Sequence, residues 1–260
     1  MEKNSGRHKR AVVVFDSGIG GLNLLYECAK RMPRARYFYA SDNDNVPYGN
    51  RSAEEILSLT LKTLEGIERL NPALLAVACN TVTARCIESL RQRFSFPVVG
   101  IQPAVKQAEE VGGRCLVLAT EATVNSQAFK NLLKKFAPEE AVTVACHGLA
   151  DYIEKNIFSL PERLPDGLLP EIKVDSVVLG CTHYAFVKRQ IERLYHCPVF
   201  DGMAGTADHC AKICGTSDHL SPFTGKTDHL CYNKLQITYL AGNRAKNEQI
   251  LKYLFANKFN

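Results

Sequence analysis

Short apolar runs alternate with amphipathic stretches along most of this chain, and that alternation narrows the fold more than any other feature. The runs are Ala11–Phe15, Tyr37–Ala40, Leu74–Ala78, Val98–Ile101, Cys115–Ala119, Val142–Ala145, Ser176–Leu179 and Val199–Phe200. Nearly all are rich in Val, Leu or Ala and show little polar alternation. Strands buried on both faces of a parallel sheet read this way. Between them, Leu22–Arg31, Ala53–Arg69, Thr83–Arg93, Ala104–Val111, Ser126–Phe136, Leu149–Phe158 and Phe186–Leu194 carry apolar residues at three- and four-residue spacing. That spacing predicts helices with one apolar face. The expectation is an α/β fold of mostly parallel sheets flanked by helices.

A faint internal repeat divides the chain. "LLAVACNT" (74–81) resembles "SVVLGCTH" (176–183), each an apolar run ending in a cysteine and small polar residues. The interval from Cys79 to Cys181 nearly equals that from Pro97 to Pro198. Two pseudo-symmetric α/β domains follow as an expectation, and 260 residues suffice for two cores. The boundaries are expected near Gly100 and Gly202. Residues 1–100 plus 203–260 would carry Cys79, and 101–202 would carry Cys181. Ligands of open α/β sheets lie beyond the carboxyl ends of the strands. Both cysteines would therefore face one interdomain cleft.

Each cysteine sits where chemistry is plausible. Cys79 ends a strand and precedes Asn80 and Thr81, both helix-capping types. A helix N-terminus there would lower its pKa. Cys181 lies in Gly180-Cys181-Thr182-His183, with His183 a titratable neighbour. A cysteine on a strand also reads as a small buried hydrophobe, but the shared context sets this pair apart. "VVVFDSGIGGLNLL" (12–25) runs a strand through Asp16, Ser17 and Gly18 into a helix. Its backbone amides suit a carboxylate or phosphate, although it matches neither a dinucleotide fingerprint nor a P-loop. Asp16 reads as an orienter for a thiol or as a plain cap. Pro47-Tyr48-Gly49 is a tight turn, whether or not it presents Tyr48 and an amide to a ligand. Thr120 and Thr123 follow the fifth strand, at the place corresponding to Asp16 in the first half.

Composition excludes several classes. The net charge of +5 is spread along the chain. Its densest cluster, Arg7, Lys9 and Arg10, reads as a solvated tail, so nucleic acid is not an expected partner. No signal peptide or membrane span is visible, and the expectation is a cytoplasmic protein with reduced thiols. His209, Cys210, Cys214, His219, His229 and Cys231 suggest zinc, but their spacing is irregular, and Cys210 and Cys214 fit a helix core better.

In order and spacing, "FDSGIGGL", "VPYG", "ACNT", "VVGIQPA", "TEATVNS" and "LGCTHY" resemble glutamate racemase, from about residue 12 to residue 203. The resemblance implies two α/β domains about a pseudo-twofold axis and an active site between them. It implies interconversion of L- and D-glutamate without cofactor or metal, supplying D-glutamate for peptidoglycan. It implies Cys79 and Cys181 as the two bases, with Asp16 and His183 assisting and Glu154 beside the second base. Asp16, Ser17, Pro47, Tyr48, Gly49, Asn80, Thr81, Thr120, Thr123, Thr182 and His183 match substrate-binding positions, and a homodimer is implied. The chain departs from the family pattern at Ser41-Asp42, at Ala119 and at Ala185, none of them an implied catalytic group. An aspartate or hydantoin racemase with the same two cysteines, a catalytically idle binding protein, and a zinc or redox protein are the competing readings.

Overall fold

The apolar runs pair in parallel, because the stretch between each two is long enough for a helical crossover. The computed structural model describes residues 10–215, 232 and 235–256. In chain order it has β1 (Ala11–Asp16), α1 (Gly21–Arg31), β2 (Arg36–Ser41), α2 (Ala53–Thr63), β3 (Leu74–Val77), α3 (Asn80–Arg93) and β4 (Val98–Gly100). Then come α4 (Val105–Val111), β5 (Cys115–Ala119), α5 (Glu121–Val124), α6 (Gln127–Phe136), β6 (Val142–Ala145) and α7 (Leu149–Asn156). After these lie β7 (Ser176–Gly180), α8 (Lys188–Tyr195), β8 (Val199–Asp201), α9 (Met203–Ile213), β9 (Gln236–Ala241) and α10 (Arg244–Phe255).

Two sheets result, ordered β4-β3-β1-β2-β9 and β6-β5-β7-β8. Their strand pairs are parallel. The fold is α/β with two domains. β1, β3, β5 and β7 are buried along their whole length, as their unbroken apolar character requires. One apolar cluster runs from Val12, Leu25 and Tyr39 in the first domain to Leu118, Leu179 and Tyr184 in the second. The domains therefore meet through a shared core.

Several elements differ from expectation. The helix predicted over Ala53–Arg69 stops at Thr63. Gly66 takes a left-handed conformation at φ 78°, and a 3-10 turn spans Ile67–Leu70. The helix predicted from Phe186 begins at Lys188, behind a 3-10 segment at Thr182–Val187. Strand β9 and helix α10 were not anticipated. "QITYLA" alternates between exposed and half-buried positions on a sheet edge, so it lacks the apolar run of its neighbours.

Cys210 is buried in α9 and Cys214 at the residue that ends it, while His209 is exposed. His219, His229 and Cys231 lie outside the described residues, as do Arg7 and Lys9 of the basic cluster. Among the described residues nine cysteines are free. Among them, too, no helix is long and apolar enough to cross a membrane.

Phe15 is wholly buried on β1, between β2 and β3. Phe15→Ala should cost about 3–5 kcal/mol of stability. Urea unfolding would measure this, and a loss below about 1 kcal/mol would mean that β1 is not the central strand of a packed core.

Candidate active site

The carboxyl ends of β1, β3, β5 and β7 point into the interface between the domains, and the predicted site residues gather there. Cys79 follows β3 and is itself the residue capping α3, with extended φ −68° and ψ 115°. Asn80 and Thr81, expected as caps, instead form the first helical positions. Cys79 is 4% exposed, and its Sγ lies 3.3 Å from Ser17 Oγ. The sequence led us to expect a depressed thiol pKa. Burial pushes it up to about 12 instead, helped by the charge of Asp16 and opposed by the Ser17 hydroxyl and the Val82 amide. Desolvation outweighs the helix terminus because the site is sealed.

Asp16 ends β1 and is wholly buried. Its Oδ2 accepts the Gly21 N–H at 2.6 Å, satisfying an amide at the start of α1, and the Thr182 hydroxyl donates to it at 3.3 Å. Asp16 thus ties a helix start in one domain to the Cys181 loop of the other. Burial raises its pKa to about 6, against the attraction of His183 and the Gly21 and Ser17 amides.

Cys181 leaves β7 in extended conformation and is 7% exposed. Its Sγ lies 4.0 Å from His183 Nδ1, and His183 Nε2 lies 2.8 Å from Glu154 Oε2. Burial disfavours a charged His183. The Cys181 and Glu154 partners outweigh it and hold the imidazole well above its ordinary pKa. Burial likewise disfavours an ionised Glu154, on α7. Hydrogen bonds from His183, Lys246 and the Ile19 amide, with the charge of His183, bring it down to about 2.

Lys246 and Asn43 escaped the sequence reading. Both hydrogen-bond Glu154 Oε1, at 2.9 and 3.2 Å. No spacing links them to Glu154. They meet it only because β9 pairs with β2, which brings the start of α10 beside Asn43.

The two loops approach so closely that no side chain fits at two positions of the first, Gly18 and Gly20. A Cβ on Gly18 would lie 2.7 Å from Glu154 Oε2, and one on Gly20 would lie 2.3 Å from Thr182 Oγ1. The predicted threonines also converge across the interface. Thr81 Oγ1 lies 2.9 Å from Thr120 Oγ1 and 3.4 Å from Thr123 Oγ1. Asn80 is buried, with its Oδ1 lacking a hydrogen-bond partner. Tyr48 is buried within reach of the charge of Cys79, but its hydroxyl donates to Asp42 at 2.7 Å. Pro47 before it is joined to Val46 by a cis peptide bond, and the Gly49 carbonyl accepts the Ala122 N–H at 2.9 Å. Among the described residues, no group of three or more His, Cys, Asp or Glu side chains is arranged to hold a metal ion.

A family model described as Asp/Glu/Hydantoin racemase matches residues 23–210. The chain is 38% identical over 204 residues to a glutamate racemase of Clostridium acetobutylicum, across 74% of this chain and 79% of that one. It is 35% identical over 212 residues to a glutamate racemase of Clostridium novyi, across 76% and 81%. Among solved structures, Escherichia coli glutamate racemase in complex with L-glutamate and the activator UDP-MurNAc-ala matches with a TM-score of 0.74 at 27% identity. That match covers 97% of this chain and 96% of the other.

Two expectations follow from the geometry. Asp16 takes up its proton in the folded protein near pH 6, above the ordinary value of 3.8, so ionised Asp16 weakens the fold at higher pH. The stability advantage of Asp16→Asn over wild type should narrow by about 3 kcal/mol as pH falls from above 6 to below 3.8. Urea midpoints against pH would show this, and a gap constant with pH would refute it. Gly20 has ordinary helical φ of −57°, so Gly20→Ala adds no backbone strain, only the clash with Thr182 and the His183 backbone nitrogen. It should prop the domains apart and speed reaction of Cys79 and Cys181 with a thiol reagent, read by mass spectrometry of labelled peptides. Unchanged labelling would mean that the closed apposition does not depend on this contact.

Proposed function

The chain belongs to the Asp/Glu/Hydantoin racemase family and, within it, to the glutamate racemases, and from that premise we propose that it interconverts L- and D-glutamate by proton transfer at Cα. We assign Cys79 and Cys181 as the two bases, acting without cofactor or metal. One observation carries the assignment: two buried thiols, each beyond a strand end in a different sheet, are joined through the Asp16-Ser17 loop, whose Ser17 Oγ lies 3.3 Å from Cys79 Sγ and whose Asp16 accepts from Thr182, the residue after Cys181, at 3.3 Å.

Racemisation removes the α-proton from one face and returns a proton to the other, so it needs two acid/base groups on opposite sides of one carbon. With L-glutamate, Cys181 beside the His183 imidazolium takes the proton. Cys79, kept as a thiol by burial, gives its own to the opposite face. With D-glutamate the two exchange roles. Asp16, His183 and Glu154 assist: Glu154 holds the imidazole, and Asp16, with its pKa near 6, tunes the charge around Cys79. Developing negative charge on the substrate meets the amides at the start of α3 and the hydroxyls of Ser17, Thr81, Thr120, Thr123 and Thr182. We assign the unpartnered Asn80 Oδ1, with Tyr48 and Gly49, to the substrate as well, and Pro47 to the turn that carries them.

Both thiols are sealed in this form, so substrate reaches them only when the domains separate. We draw the domains as 1–100 plus 203–260 and 101–202. In support, α9 and α10 pack on α1, and the two crossovers run side by side where Gly202 meets the Gln102 carbonyl. The family resemblance supports the remaining parts of the reading: a homodimer, in the cytoplasm, making D-glutamate for peptidoglycan.

L-glutamate incubated with the protein in deuterated water should lose optical rotation and gain α-deuterium. No change with glutamate, or faster turnover of L-aspartate, would overturn the substrate assignment. Cys79→Ser and Cys181→Ser should each lower kcat/KM by about 10²–10⁴-fold. Enantiomers have equal free energy in water, so each variant should lose the same factor in both directions.

A further inference from the structure

Glu154 is held by more partners than one imidazole requires. Its Oε2 faces His183 Nε2 at 2.8 Å and accepts the Ile19 N–H at 3.0 Å. Its Oε1 accepts from Lys246 Nζ at 2.9 Å and from Asn43 Nδ2 at 3.2 Å. Lys246 Nζ also donates to the Glu154 backbone carbonyl at 2.8 Å. Two bonds on each carboxylate oxygen fix the plane of the group, and with it the direction in which the imidazole is held.

The lysine is itself anchored. Asn243 caps α10 by accepting the Lys246 N–H at 3.0 Å, and the Asn243 N–H donates to Asn43 Oδ1 at 3.2 Å. Asn43, Glu154, Lys246 and Asn243 therefore close a ring of hydrogen bonds. Gly242 lets β9 end against β2. With φ of 89°, it sits where a Cβ would meet Ser41 Oγ at 2.2 Å. Asn43 and Lys246 belong with the first sheet, and Glu154 with the second. The ring forms only when the domains are together.

We propose that Lys246 is a positioning residue for the Cys181 side of the reaction, fixing Glu154 and through it His183 when the domains close. This rests on the racemase reading above. Lys246 is one-quarter exposed at its side chain and makes no hydrogen bond to the threonine hydroxyls or to either thiol. Its loss should reach the chemistry through the imidazole and leave substrate affinity nearly intact.

The test compares Lys246→Met, Lys246→Arg and, as a control on the same helix, Lys252→Ala, whose ion pair with Glu248 is exposed. Lys246→Met should lower kcat by about 10- to 100-fold, the scale on which a misplaced catalytic group acts, with KM near wild type. Lys246→Arg should recover most of that loss, and Lys252→Ala should match wild type. A second readout needs no turnover: the His183 ring-proton resonance, identified by its disappearance in His183→Asn. It should move in Lys246→Met and return toward the wild-type position in Lys246→Arg. A melting temperature that falls in Lys246→Met with kcat and the resonance unchanged would overturn the proposal and leave Lys246 a purely structural residue. If wild type does not racemise glutamate, the racemase reading fails instead, while the resonance still reports whether Lys246 fixes Glu154.

Discussion

Asp16, Glu154 and His183 are buried together with two thiols, in surroundings where an unpaired charge would cost several kcal/mol. The domains can close on these groups only because each finds a partner. Glu154 has His183 and Lys246, and Asp16 has the Gly21 amide and the Thr182 hydroxyl. Two of those four bonds, Lys246 to Glu154 and Thr182 to Asp16, cross from one domain to the other. The polar network is thus also the docking surface, and the glycines at 18 and 20 are the spacing that permits it. Substituting either loop would alter closure and proton chemistry together.

The same burial sets the two cysteines apart. Cys79 has a hydroxyl and an amide near it but also the negative charge of Asp16, and its pKa is driven up to about 12. Cys181 faces an imidazole held in its charged form by a carboxylate on the far side. Two sites that look alike in sequence are electrostatically unlike in the folded chain. Pseudo-symmetric halves carry the geometry that a two-faced proton transfer requires. The asymmetry of their neighbours is electrostatic: the Asp16 carboxylate lies by Cys79 and the His183 imidazole by Cys181.

Much of this was legible in the sequence, and the exceptions have physical causes. Strands β1, β3, β5 and β7 were readable because burial on both faces leaves an apolar run with no other explanation. Cys79 and Cys181 stood out because the strand–cysteine–polar context occurs twice. The polarity of β9 hid it, since an edge strand with one half-buried face needs no such run. With β9 unread, Lys246 could not be placed, because a lysine in the first turn of a helix reads as solvent-facing. The direction of the Cys79 shift was misjudged for a different reason. A helix terminus is visible in sequence, whereas the depth of burial depends on how two domains meet.

Within the racemase reading, a sealed site creates a further requirement. Each one-way turnover moves a proton between the two cysteines and leaves the pair in the opposite protonation state. In the closed form burial opposes a thiolate at Cys79. On that reading, product release would separate the domains, admit water, and remove the desolvation that keeps the Cys79 pKa high. It would also break the contacts of Asn43, Lys246 and the Ile19 amide with Glu154, so the partners that fix the imidazole beside Cys181 would be withdrawn in the same motion. Opening would therefore relax both ends of the proton path at once. The same cross-domain bonds that would position the acid and base for one enantiomer are those whose rupture would reset them for the next.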